Sequence, residues 1–123
     1  MADGRAANPG ESWSRVLLIG LGLAPTELQV RLEDADGLIG YADFGWDGVV
    51  GELDGKGKYA IGVETDPVEA VRIVRREKLR EDRIRGLGLE VARWEYAHHY
   101  HPAVIGQRVR LAMARAAQRR RPA

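Results

Sequence analysis

The sequence predicts an α/β (α+β) domain in which a mixed central sheet of about four to five strands is flanked by helices. Two proline-headed cap signatures, Asn8-Pro9-Gly10-Glu11 and Thr65-Asp66-Pro67-Val68-Glu69, each announce a helix. Between them, residues 28 to 54 alternate apolar and polar side chains and are cut by Asp-Gly and Gly-rich turn signals, as in a run of antiparallel strands. Beyond Pro102 the apolar residues return to helical spacing.

Taken in order, residues 1–7 read as a flexible leader and residues 8–121 as a single domain. Asn8 as N-cap, Pro9 at the first helical position and Glu11 as capping-box acid predict a first helix to about Leu18 or Ile19, burying Trp13, Val16 and Leu17. Gly20-Leu21-Gly22 ends it. That glycine pair imitates a dinucleotide-binding turn. However, Pro25 stands where a third glycine belongs, and strands follow in place of the helix that would hold a pyrophosphate, so that reading is rejected.

Leu28-Gln29-Val30-Arg31-Leu32 is a half-buried strand, Asp34-Ala35-Asp36-Gly37 a turn and Leu38 to Phe44 the next strand. Gly45-Trp46-Asp47-Gly48 reads as a four-residue turn into a third strand, Val49 to Asp54, and Tyr59 to Val63 could continue it. Asp66 caps a heavily charged helix, broken once near Arg75, that reaches Leu87 before Gly88, with Glu77–Arg80 and Glu81–Arg85 as internal pairs. Leu89 to Tyr96 is a strand with Val91 and Trp94 on opposite faces. The last helix carries Ile105, Val109, Ala112, Met113 and Ala116 on one stripe.

A chain of 123 residues, 45% hydrophobic and 30% charged, is a globular domain and not a disordered one. It has no cysteine, so neither disulfide nor thiolate chemistry is available. The longest apolar run, Val16 to Ala24, is about half of the roughly 20 residues a membrane span needs, so no membrane role is expected and the cytoplasm is the expected compartment. The net charge of +1 conceals a division. Residues 1–71 carry 5 Lys and Arg against 13 Asp and Glu, a net of −8, while residues 72–123 carry 14 against 5, a net of +9. All but one of those 14 cations are arginines, whose planar forks match phosphate oxygens.

The acidic half is concentrated in Tyr41 to Tyr59. If Phe44 pairs with Val49, then Asp43 lies opposite Val50 and diagonal to Glu52, and Asp43, Glu52 and Asp54 share one face of a hairpin. Three carboxylates on one face repel, and a bound divalent cation would relieve them. Oxygen ligands without cysteine favour Mg²⁺ or Mn²⁺ over zinc. Gly55 and Gly57 let the backbone turn and bring Lys56 or Lys58 beside the acids. Asp47 reads as a turn residue only, and His98, His99 and His101 as loop histidines pointing apart.

Four segments carry a resemblance: Glu11-Ser12-x-x-Arg15; Ala42-Asp43-Phe44; Gly51-Glu52-Leu53-Asp54-Gly55 followed by Lys58-Tyr59; and Glu77-Lys78-x-Arg80-Glu81-Asp82-Arg83-x-x-x-Leu87-Gly88 leading to Val91-x-Arg93-Trp94. Their order resembles the restriction-endonuclease-like PD-(D/E)xK superfold, and within it the very-short-patch-repair-like endonuclease domains of actinobacterial proteins. Ala42 replaces the usual proline, and Asp54 stands where the lysine would be unless Asp54-Gly55-Lys56 is itself the (D/E)xK triplet.

The resemblance implies a Mg²⁺- or Mn²⁺-dependent DNA endonuclease hydrolysing phosphodiester bonds. Asp43 and Glu52 would be the primary metal ligands, and Asp54 a further ligand or water-orienting base. Lys56 or Lys58 would stabilise the phosphate, and Glu11 would approach from the first helix. Arg80, Arg83 and Arg93 are the expected DNA contacts, with pairing to neighbouring acids as their alternative. The rival expectation is a catalytically inactive nuclease-fold module that binds DNA or serves in toxin–antitoxin regulation. Homodimers and toxin–antitoxin or repair partner proteins are implied by the resemblance alone.

Overall fold

The structure, a computed structural model, describes residues 8–54 and 66–120. Among them the order is helix α1 (Pro9–Gly20), strands β1 (Glu27–Asp34), β2 (Gly37–Trp46) and β3 (Val49–Asp54), helix α2 (Pro67–Gly86), strand β4 (Glu90–Glu95), a short 3-10 turn (Tyr96–Tyr100) and helix α3 (Pro102–Arg119). The expected strand at Tyr59 to Val63 lies outside the described residues. The four strands form one mixed sheet in the order β1-β2-β3-β4: the first three are an antiparallel meander, and β4 returns after α2 to lie parallel to β3. A parallel neighbour needs a crossover, which is what α2 supplies. No described helix is long and apolar enough to cross a membrane.

The caps work as their side chains dictate. Asn8 accepts from the Gly10 and Glu11 N–H groups at 2.9 and 3.3 Å, and Asp66 from Val68 N–H at 3.2 Å, each satisfying donors that a helix start leaves open. The α2 helix runs unbroken for 20 residues, so the expected break near Arg75 does not occur. In α1 the buried residues are Gly10, Ser14 and Leu18, whereas Val16, expected inside, is 66% exposed. Placing Ser14 inward rotates the buried face of the helix away from Val16.

The sheet separates two apolar layers. On one face Phe44, Trp46, Val49, Ala92 and Trp94 pack against Leu18 of α1 and against Ile105, Val109, Ala112 and Ala116 of α3. On the other, Leu32, Ala42 and Val50 pack against Ile84 of α2. Gly51 lets the two tryptophans close over β3, because a Cβ there would lie 2.7 Å from the Trp46 ring and 3.0 Å from that of Trp94. Beneath them Ser14 Oγ accepts from Trp94 Nε1–H at 2.9 Å and meets His99 Nε2 at 2.6 Å.

The β2–β3 hairpin differs from the expected one. Trp46 pairs with Val49, so the connection is the two-residue Asp47-Gly48 turn and Phe44 faces Gly51, not Val49. Gly48 has φ 76, the left-handed conformation such a turn demands. Trp46 belongs to the strand because its ring is buried and its Nε1–H donates to Leu23 O at 3.0 Å. Asp47 stays at the turn, where both its oxygens accept from Arg120 at 2.8 and 3.0 Å.

Candidate functional site

With this register, the backbone pairing of β2 with β3 ends at Phe44–Gly51, and the Asp43 carboxylate takes over where the ladder stops: its Oδ2 accepts the Leu53 N–H at 2.9 Å. Asp43 is also a point of phase change in β2, since Ala42 packs on the α2 side of the sheet and Phe44 on the α1 and α3 side. Across from it in β1, Gln29 falls between the paired positions Leu28–Phe44 and Val30–Ala42 and has φ 49. A non-glycine residue in that region is strained by about 1 kcal/mol or more. Its amide is held in return, because Gln29 Nε2 donates to Glu11 Oε1 at 2.7 Å.

Glu11 and Asp43 thereby meet as two carboxyl groups in a half-buried setting. The Asp43 carboxyl is pushed up to about 7 by burial first and by its hydrogen bond with Glu11 second. The Leu53 N–H acts in the opposite direction, and the nearby charge of Glu52 adds to the rise. Glu11, read in the sequence as a capping-box acid, spends its side chain here between Gln29 and Asp43.

Glu52 sits on the other face of β3, with Val50, and turns to the arginines of α2 and β4. Arg80 Nη1 and Nη2 donate to its two oxygens at 2.9 and 2.7 Å, and Arg93 Nη2 lies 3.2 Å from Oε1. The Arg80 guanidinium is held further toward its charged form, chiefly by that hydrogen-bonded pair with Glu52. Arg93 also approaches Glu81 at 3.3 Å and Glu77 at 3.9 Å, so the expected Glu77–Arg80 pair gives way to contacts across elements. Arg93 Nε and Nη2 are buried and find no hydrogen-bond partner among the described residues. A groove of about 680 Å³ opens along this cluster, lined by Glu52, Asp54, Arg76, Lys78, Arg80 and Arg93 among others.

Asp54 closes β3, in parallel register with Glu95. Lys56 and Lys58 lie outside the described residues. Arg83 stands apart from the groove: it donates to both oxygens of Asp34 at 2.8 and 2.6 Å and to Gly37 O at 3.1 Å, tying α2 to the β1–β2 turn. The histidines separate as expected, His99 buried against Ser14 and His98 accepting Glu95 N–H through Nδ1 at 2.8 Å.

The structure thus brings Glu11 to Asp43, and Arg80 and Arg93 to Glu52, as two adjoining clusters. Among the described residues no three His, Asp or Glu side chains converge as ligands for an ion. The Glu11–Asp43 pair nevertheless fits a hard divalent cation in kind: two carboxyl groups that share a hydrogen bond when one is protonated and repel when both are ionised, with further hydrogen bonds from the neutral Gln29 amide and Leu53 N–H. Gln29 was not foreseen from the sequence, where it reads as one polar position of an alternating strand. Comparison with protein-family models, with curated proteins and with solved structures finds no match to this chain.

Proposed function

We propose that this protein is a Mg²⁺- or Mn²⁺-dependent endonuclease with a restriction-endonuclease-like domain that hydrolyses phosphodiester bonds in DNA. The observation that carries the reading is the Glu11–Asp43 carboxyl pair, set where the β2–β3 ladder stops and backed by the strained Gln29. A buried carboxyl whose proton affinity is raised toward neutrality beside a second acid, as at Asp43, is the kind of group that clusters where protons or cations are handled. The chain order, a helix, an antiparallel meander and a helix crossing to a parallel fourth strand, supports the same reading.

Glu11 and Asp43 would hold the cation, with Glu52 close enough for its charge to act on Asp43. Bound there, a cation would lower the pKa of an attacking water and offset charge on phosphorus. Asp43 itself titrates near neutrality and can hold or release a proton at its carboxyl. Arg80 and Arg93, at the adjoining groove, can orient a phosphate by paired N–H donors.

The test is plasmid nicking in Mg²⁺ or Mn²⁺ by the wild type against Asp43→Asn and Glu11→Gln. The expected result is nicking by the wild type that both variants lose by at least about a hundredfold, as loss of a group acting at the reacting centre commonly costs. Equal nicking by wild type and variants, or none by the wild type with either cation, overturns it.

A second reading, a nuclease-fold module that binds DNA without cutting it, is favoured by one observation: the Glu52 carboxylate is already neutralised by Arg80 and Arg93. It predicts salt-sensitive DNA binding that survives Asp43→Asn, with no nicking in any metal.

A further inference from the structure

We propose that Arg80 and Arg93 form a binding fork for one DNA phosphate, and that the Glu52 carboxylate occupies this fork as an internal stand-in until a phosphate displaces it. The inference rests on the nucleic-acid reading of the groove and adds to it a latch: binding of the substrate is what frees Glu52.

Three features of the cluster carry it. A carboxylate and a phosphate present similar pairs of oxygens to a guanidinium, and Arg80 already holds Glu52 through two parallel N–H donors at 2.9 and 2.7 Å. Donors are left over: Arg93 Nε and Nη2 are buried without a hydrogen bond among the described residues, although Nη2 lies only 3.2 Å from Glu52 Oε1. A phosphate offers more acceptor positions than a carboxylate and can satisfy them. The cluster also faces the groove of about 680 Å³, whose wall continues with Arg76 and Lys78 of α2, giving a strand of DNA an approach to both arginines.

The other arginine clamps of the molecule differ in these respects. Arg83 spends Nε and Nη2 on Asp34 and Gly37 O, and Arg85 joins Glu81 at 3.0 Å to Glu90 at 3.1 Å, a carboxylate 5% exposed that Arg119 also binds at 2.9 Å. Those contacts fasten elements together. The Glu52 contact instead places a candidate metal ligand where substrate would be held, next to the Glu11–Asp43 pair.

The experiment is binding of a short fluorescein-labelled DNA duplex by anisotropy, in EDTA so that no cleavage intervenes, over a range of salt. Glu52→Gln is expected to bind about tenfold tighter, with a salt dependence about one unit steeper on logarithmic axes, since a freed arginine adds a phosphate contact. Glu69→Gln, which removes one charge from the same groove without touching Arg80 or Arg93, corrects for electrostatics alone. Arg80→Gln in the Glu52→Gln background is expected to erase the gain. A gain no larger than that of Glu69→Gln, or one that persists without Arg80, overturns the latch.

Should Glu52→Gln fail to fold by circular dichroism, the side-chain Nε–H resonances of Arg80 and Arg93 in the wild type give the same answer. They are expected to shift on adding the duplex, and unmoved resonances overturn the proposal. Nicking by the wild type without a gain in Glu52→Gln leaves the nuclease and removes the latch. A gain without nicking in either metal leaves the fork and removes the nuclease.

Discussion

Arg80 reaches from α2 to both oxygens of Glu52 on β3, at 2.9 and 2.7 Å, and so joins the helix to the sheet with a charge pair that is only 22% and 13% exposed. Removing one partner strands the other in a setting poor in water. Arg80→Ala is expected to cost about 2 kcal/mol, less than a fully buried pair because Arg93 stays beside Glu52. In urea unfolding, the Arg80→Ala, Glu52→Gln double variant should be more stable than the sum of its single losses predicts, and strict additivity would show that the two side chains are uncoupled.

Asp43 makes stability depend on pH in an unusual direction. The folded protein keeps its proton up to about 7, whereas an unfolded chain releases it near 3.8. Within that interval the native state binds the extra proton, so stability falls as pH rises from about 4 to about 7 and is level above. Asp43→Asn should flatten this segment and raise the thermal midpoint at pH 8. If Mg²⁺ binds there, it should raise the wild-type midpoint at pH 8 and leave that of the variant unmoved.

His99 acts in the opposite sense. Burial, its largest cause, holds the ring below its ordinary value of 6.5, so the unfolded chain takes up the proton first and stability declines as pH falls below 6.5. With Asp43→Asn in place, only this acid-side decline should remain in the thermal profile across that range. Persistence of the decline after a further His99→Gln change would assign it to another group.

Ser14 serves two buried ring nitrogens at once, Trp94 Nε1 and His99 Nε2. Ser14→Ala leaves both without that partner, at about 2 kcal/mol measured in urea. Ser14→Gly should be worse still, because it adds a helix-interior glycine.

The space a side chain would take at Gly51 is filled by two tryptophan rings. Gly51→Ala places a methyl 2.7 Å from the Trp46 ring and 3.0 Å from Trp94, and should cost about 2 kcal/mol through forced repacking. A change in tryptophan fluorescence in the folded variant would report the displaced rings.

Much of the fold was legible from local chemistry. Asn8 and Asp66 announce their helices by side chains that bond within two or three residues, and the stripe from Ile105 to Ala116 needs only helical period. The candidate site was legible in its residues but not in its pairing. Gly45-Trp46-Asp47-Gly48 accommodates a four-residue and a two-residue turn equally well, and only the burial of Trp46 against Leu23 selects the second. That choice moves β3 by two positions against β2. Ser14 and Arg83 were beyond reach for a related reason: their partners His99, Trp94 and Asp34 are separated from them by 85, 80 and 49 positions, and no local pattern records such a meeting.

The Asp43–Leu53 contact has a last consequence. An amide that belongs to a sheet normally hangs on a carbonyl, whose strength as an acceptor is indifferent to solution conditions. Here the N–H that follows the final backbone rung hangs on a carboxyl that changes charge near neutrality. The rung beyond the last backbone pair is therefore held by a titrating group, and the Leu53 amide proton resonance is a built-in reporter of what that group has bound.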